Sequence, residues 1–112
     1  MRRSVLIVDD HPSFRRFARR LFEEAGFAVV GEASDGRSAV VSVHELRPDL
    51  VLLDVMLPDM SGMEVADALP TATSVLLVSS RSAEDLGLDG RYPFLPKNEL
   101  SLERLREGGA GA

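Results

Sequence analysis

A doubly wound α/β fold, a five-stranded parallel sheet with helices on both faces, is what this sequence predicts. Three observations carry the prediction. Short apolar runs at residues 5–8, 50–53 and 75–78 alternate with segments in which apolar residues recur at three- and four-residue spacing. The run Leu50-Val51-Leu52-Leu53 has no polar interruption, as expected of a central parallel strand covered on both faces. Each run ends in polar residues, and right-handed crossovers bring every such end to one edge of the sheet.

Taken in order, the first strand covers 5–8 and stops at Asp9-Asp10. From Pro12 the period changes. Phe14, Phe17, Ala18, Leu21, Phe22 and Ala25 share one helical stripe, with Pro12 suited to the first turn and Gly26 to the stop. Residues 28–32 form a weaker strand, and Ser34-Asp35-Gly36 offers turn and N-cap chemistry for a helix reaching about residue 46. The third strand, 50–53, ends at Asp54. Ser61-Gly62-Met63-Glu64 has capping-box spacing, and Pro70 stops the helix it opens near Leu69. The fourth strand, 75–78, ends at Ser79-Ser80. Residues 82–90 hold at most about two helical turns, so the third and fourth helices are both expected to be short. Phe94-Leu95 makes a brief fifth strand before Pro96-Lys97, and a final helix covers 100–107. The expected organisation is one domain over 1–107 and a flexible Gly/Ala tail over 108–112.

With 112 residues, no cysteine and a formal charge of -5, the chain has length for one core and lacks disulfide or thiolate chemistry. An additional output domain of ordinary size does not fit in it. Thirteen basic residues against 18 acidic ones do not make a phosphate-binding surface, so direct nucleic-acid binding is not expected. Arg15, Arg16, Arg19 and Arg20 are the local exception. They read either as a solvated helix face relieved by Glu23 and Glu24 or as a docking face for an acidic partner. No apolar stretch approaches the ~20 residues of a membrane span, and the basic start runs at once into Asp9-Asp10. A soluble, cytoplasmic protein is expected.

The polar strand ends carry the functional argument, because ligands of open α/β sheets bind at that edge. Asp9, Asp10, Asp54, Ser79 and Lys97 all fall there. Converging carboxylates repel one another unless a cation neutralises them, and Mg²⁺ takes oxygen ligands. Asp10 and Asp54 are the best candidates, with a backbone carbonyl just after Asp54 as a third and Asp9 binding directly, through water, or only by its field. An Asp-Asp pair after a strand also reads as a helix cap or turn. Lys97 is the single lysine of the chain, a compact cation suited to a moving anionic group, although a lone lysine is ordinarily a solvated surface residue. Ser79, with Ser80 as its neighbouring alternative, either donates to a phosphoryl oxygen or merely closes the strand locally. Together these residues point to phosphoryl chemistry in which one carboxylate attacks, and Asp54 is the better nucleophile. His11 and His44 do not form a ligand pair by spacing, and His11 is at best a modulator.

Val8-Asp9-Asp10-His11-Pro12, Leu53-Asp54 followed by Pro58-Asp59-Met60-Ser61-Gly62, Leu77-Val78-Ser79-Ser80 and Phe94-Leu95-Pro96-Lys97 resemble the motifs of response-regulator receiver domains, whose CheY-like fold is flavodoxin-like. The resemblance runs from about Val5 to Leu105. It implies a phosphoprotein of a two-component phosphorelay, in which Asp54 accepts a phosphoryl group from a sensor histidine kinase or phosphotransfer protein. It implies Mg²⁺ held by Asp10, Asp54 and the Met56 carbonyl, with Asp9 in the acidic pair. Ser79 matches the family hydroxyl, Lys97 the family lysine, and Phe94 the aromatic that swings with the hydroxyl. No conventional enzyme is implied, beyond assistance to the domain's own phosphorylation and dephosphorylation. The Asp-His-Pro opening and Phe-Leu-Pro-Lys ending are most similar to receivers that precede helix-turn-helix domains in transcription regulators, so the chain reads as a single-domain regulator or as the N-terminal piece of a longer one. A homodimer and a further output partner are compatible with it.

Two departures stand out. The third helix is short, and Ser79 to Lys97 is only 18 residues, with the shortfall on the fourth helix. Pro93 stands before the aromatic where glycine is common, and its fixed φ is expected to stiffen the entry to the fifth strand. Met56 has no group to orient water and Arg81 is placed to cover the phosphoryl group, so a persistent acyl phosphate is expected. The competing readings are a receiver-shaped interaction module independent of phosphate and a metal-dependent phosphatase. The latter lacks a general acid two residues after Asp54, where Met56 stands.

Overall fold

Alternate residues of the apolar strands face opposite sides of the sheet, and this alternation builds three layers. The computed structural model describes residues 2–107, so the tail expected at 108–112 lies outside the described residues. The strands are β1 (Ser4–Val8), β2 (Ala28–Ala33), β3 (Leu50–Asp54), β4 (Ser74–Ser79) and β5 (Phe94–Pro96). They form one parallel sheet in the order β2-β1-β3-β4-β5. The helices are α1 (Pro12–Glu24), α2 (Gly36–Leu46), α3 (Gly62–Ala68), α4 (Ala83–Leu86) and α5 (Leu102–Arg106).

Val5, Ile7, Leu50, Leu52, Leu76 and Val78 form one core with Ala18, Phe22 and Leu105. Leu6, Val8, Val51, Leu53, Val75 and Leu77 form the other with Ala39, Val43, Val65 and Ala66. Every residue of β3 is buried, as its uninterrupted apolar run requires. A register shift between Val5 and Leu6 makes Val30 the extra residue of a bulge in the edge strand β2.

Local chemistry sets most element ends. Gly26, at φ 92°, closes α1 in the left-handed conformation, and the Phe27 amide reaches back to the Phe22 carbonyl at 2.9 Å. Asp35 caps α2 through the Ser38 amide at 2.7 Å, and the capping box of Ser61 and Glu64 is present on α3. Pro93 and Pro96 are tolerated because β5 is an edge strand, and the Pro93 carbonyl still accepts from Leu77 N at 2.9 Å.

The helix within 82–90, expected to hold at most about two turns, is a single turn, Ala83–Leu86, stopped by Gly87 at φ 66°. Two expectations need correction. The last helix starts at Leu102 rather than at residue 100, because Lys97–Glu99 forms a 3-10 turn and Ser101 caps α5 through the Arg104 amide at 3.2 Å. The apolar stripe of α1 is not uniformly inward: Ala18 and Phe22 are fully buried, whereas Phe17 is 47% exposed. Among the described residues no helix is long and apolar enough to cross a membrane.

Phe22 stacks edge-on against Phe27 with ring centroids 5.0 Å apart. Truncating Phe22 to alanine is expected to lower the unfolding free energy by about 3–4 kcal/mol, through lost burial and the cavity left behind. Phe17→Ala is expected to cost less than about 1 kcal/mol. Urea unfolding followed by far-UV circular dichroism reads both.

Candidate functional site

Strand register assembles the site. Val8 pairs with Leu53, so Asp9 leaves β1 beside Asp54 at the end of β3. Asp54 pairs with Val78 and Ser79 with Pro96, so Ser79 and Lys97 follow at the same edge. Asp9 is fully buried, Asp54 and Ser79 nearly so, while Asp10 is exposed. The Lys97 ammonium touches Asp9 Oδ2 and lies 3.3 Å from Asp54 Oδ2. Asp9 Oδ2 is thus met by the Lys97 ammonium, the charged partner that offsets its burial.

The other oxygens are held by backbone. Asp54 Oδ1 accepts from the Met56 amide at 3.0 Å, and Asp9 Oδ1 accepts from the His11 amide at 2.8 Å. His11 Nδ1 stands 3.0 Å from the same Asp9 oxygen and 3.2 Å from Asp10 Oδ1. Ser79 Oγ accepts from the Arg81 amide at 3.1 Å, which closes the strand locally and leaves the hydroxyl proton available. Ser80 is exposed. The Arg81 side chain is also exposed, and Phe94 is half-buried against the core on the α2 and α3 side.

Burial pushes the Asp54 carboxyl up to about 6, with the Asp9 charge adding to the rise and the Met56 amide and Lys97 opposing it. Burial works against Asp9 as well, but Lys97 and the His11 amide overcome it and hold Asp9 below the ordinary carboxylate value. One ammonium therefore satisfies Asp9 and leaves Asp54 under-compensated. Asp9, Asp10, His11 and Asp54 each offer a ligand atom within 4.8 Å of one another. Hard carboxylate oxygens from three aspartates, with a single ammonium shared between the two buried ones, leave a residual negative charge that fits a small divalent cation.

Gly62 is a constraint on the site that sequence reasoning passed over as part of a motif. Its amide donates to the Val55 carbonyl at 2.8 Å, and a Cβ there would collide with the Asp54 carbonyl oxygen and come within 2.9 Å of Val55 Cα. Met56 and Ser61 form an antiparallel bridge that closes the same loop. Asp59 ties the loop to α2 by accepting from the Gly36 and Arg37 amides at 2.7 and 3.0 Å. Phe14 was expected in the core stripe, yet its ring also lies under Lys97 Nζ at 4.4 Å. Arg15 and Arg19 are not merely solvated or relieved by nearby glutamates. Both bind Glu32 of β2, at 2.9 and 2.8 Å, and Arg15 Nη1 donates to the Asp9 carbonyl at 2.7 Å. Arg16 and Arg20 remain exposed.

A doubly wound sheet carrying an acidic cluster and a lysine at its carboxyl edge defines a class of anion- and cation-handling α/β domains. Within that class the chain belongs to the response regulator receiver domain family, whose model matches residues 5–91. It is 39% identical over 119 aligned positions to the DNA-binding response regulator MtrA of Mycolicibacterium smegmatis, covering 95% of this chain and 51% of that protein. It is 38% identical to the nitrate/nitrite response regulator protein NarP of Escherichia coli, covering 96% of this chain and 55% of that one. The chain therefore spans about half the length of the curated relatives it matches. The signal receiver domain of the putative response regulator NarL from Mycobacterium tuberculosis superposes with a TM-score of 0.79 at 30% identity, covering 99% of this chain and 98% of that one. The aligned positions outnumber the chain's 112 residues, so MtrA carries segments that this chain lacks. The family match also stops before β5, so Lys97 and Phe94 are placed by register and contact rather than by that match.

The raised Asp54 carboxyl has a consequence for stability. Its folded value of about 6 lies above the ordinary 3.8, so its neutral form stabilises the fold at low pH and that contribution is lost as pH rises through about 6. Asp54→Asn removes the loss. In metal-free solution the variant is expected to be more stable than the parent by up to about 3 kcal/mol at pH 7.5, with the difference vanishing near pH 4. Urea midpoints measured across that range in a chelating buffer check the slope. Gly62→Ala is expected to destabilise the chain by about 2 kcal/mol, since backbone rather than a flexible side chain must give way.

Proposed function

We propose that this domain is a phosphoacceptor switch of a two-component system, in which Asp54 takes a phosphoryl group from a histidine kinase or phosphotransfer protein. One observation carries the reading. Asp54 ends the fully buried central strand with one oxygen held by the Met56 amide and the other facing Lys97. The Asp54 carboxylate attacks phosphorus, the bond from phosphorus to the donor's imidazole nitrogen breaks, and that nitrogen leaves with the electron pair. Asp10, Asp54 and the Met56 carbonyl, with Asp9 beside them, would hold Mg²⁺. The ion supplies charge neutralisation for the phosphoryl oxygens when bound.

The chain's own residues do the rest. Lys97, already shared between Asp9 and Asp54, pairs with a phosphoryl oxygen as the Asp54 carboxylate becomes an acyl phosphate, a mixed anhydride. The Ser79 hydroxyl donates its free proton to another oxygen, and Phe94 repacks with it. The switch is then a two-state shift favoured by those new contacts. The relatives named for DNA binding support a place for this domain in transcription regulation, as part of a regulator whose output lies elsewhere. Kinase docking and output through a partner or a second copy belong to the same reading, and cytoplasmic residence follows from it.

Labelling with a small acyl-phosphate donor in Mg²⁺ is expected to modify the parent and to fail for Asp54→Asn. Label retained by that variant, read by intact mass and phosphate-affinity electrophoresis, would sink the assignment of Asp54. Arg81 stands two residues beyond Ser79 with its side chain free in solvent, placed to cover the acyl phosphate. Arg81→Ala is accordingly expected to speed decay of the label about three- to tenfold; an unchanged or slower decay removes the shielding role.

A second reading draws on the single-turn α4. In a receiver-shaped module whose output does not need phosphate, partner affinity would be equal with and without the label.

A further inference from the structure

His11 reaches the acidic cluster through a side chain that has nothing else to do. It is the N-cap residue of α1, yet its ring makes no capping hydrogen bond. Pro12 at the first helical position restricts His11 to extended backbone, observed at φ −96° and ψ 111°. The ring is 65% exposed while Nδ1 turns back on the carboxylates, 3.0 Å from Asp9 Oδ1 and 3.2 Å from Asp10 Oδ1. Electron-rich atoms that close together need a proton or a cation between them.

We infer that His11 Nδ1 is a ligand of the cation site, which makes the centre a mixed nitrogen–oxygen donor set selective for later first-row divalent cations such as Co²⁺, Ni²⁺ and Zn²⁺. This deepens the metal reading above and rests on it for the carboxylate ligands. Around an octahedral ion with bonds of about 2.1 Å, adjacent donors stand about 3.0 Å apart and opposite donors about 4.2 Å. The His11 separations match adjacent positions, and the four-residue set, with all ligand atoms within 4.8 Å, needs only small movements to surround one ion. Among the described residues Lys97 is the one cation in contact with the two buried carboxylates, meeting Asp9 Oδ2 and standing 3.3 Å from Asp54 Oδ2, so the cluster with Asp10 keeps negative charge for a further cation to neutralise. A carboxylate-only site suits Mg²⁺, whereas an imidazole raises affinity along the order that runs from Mn²⁺ up to Ni²⁺ and Cu²⁺. The exposed ring edge gives entering cations a path that does not open the core.

Isothermal titration of the untagged chain with NiCl₂ and MgCl₂ separately tests this, with the ratio of the two affinities as the readout. His11→Gln is expected to lower the Ni²⁺ to Mg²⁺ ratio at least tenfold, and His44→Gln to leave it at the parent's value. Imidazole ¹⁵N spectra of the parent provide a measurement free of substitutions: Zn²⁺ is expected to shift the His11 Nδ1 resonance by coordination. A ratio insensitive to His11→Gln, an equal fall in His44→Gln, or a Zn²⁺ shift confined to Nε2 overturns the inference. Binding of Mg²⁺ with such an insensitive ratio sinks only the His11 ligand. Binding of neither cation by the parent sinks the metal site under Proposed function as well.

Discussion

The ammonium of Lys97 meets the carboxylates of Asp9 and Asp54 at the carboxyl edge, so one side chain joins the ends of β5, β1 and β3. The apolar sheet beneath removes those carboxylates from water, which makes each uncompensated charge expensive. Lys97 cannot neutralise both. Asp9 keeps its charge, and Asp54 is left with a carboxyl raised to about 6. The same imbalance that weakens the isolated fold creates a demand for further positive charge, which a divalent ion would answer under the proposed function. Phe14 under the ammonium and Arg15 on the Asp9 carbonyl limit how far that edge can relax.

The loop from Val55 to Ser61 is the second support of the edge. Gly62 lets the start of α3 pack directly on the Asp54 backbone, and Asp59 fastens the loop to the first turn of α2. The backbone around Asp54 is therefore set by α2 and α3 together. This explains how a helix of only seven residues still organises the site: its function there lies in its first turn, while Val65 and Ala66 cover the core.

On the other flank the chain has a four-residue α4 followed by a connection held by side chains. Tyr92 donates to Asp67 at 2.6 Å, and Arg91 binds both Asp67 and Asp89, at 3.1 and 2.8 Å. These contacts fasten the entry of β5 to α3, and Leu86, Leu88 and Tyr92 cover the core where a longer helix would have packed. Exposed pairs of this kind are individually weak, so the covering apolar residues carry most of the anchoring. Phe94 emerges directly from this connection, two residues after Tyr92.

Much of this was legible in the sequence because it is local or periodic. Strand runs, the Ser61–Glu64 box, the stops at Gly26 and Pro70 and the shortness of α3 and α4 each follow from a few neighbouring residues. The candidates Asp9, Asp10, Asp54, Ser79 and Lys97 were readable because parallel topology sends every strand's carboxyl end to one edge. Which of them would be buried, and which serine would turn inward, was not readable, because strand register decides it. The partners of Arg15 and Arg19 escaped prediction for a related reason: Glu32 is adjacent in space but lies in the next strand. Phe17 shares the helical spacing of Phe22, yet only the docking angle of α1 decides that one is covered and the other exposed. The sequence by itself determined the order of elements and the residues available at the edge, since both depend on short-range patterns. The tertiary structure alone decided that Lys97 satisfies Asp9 before Asp54 and that His11 faces the acidic pair, because charge compensation in a buried site depends on distances between residues far apart in the chain.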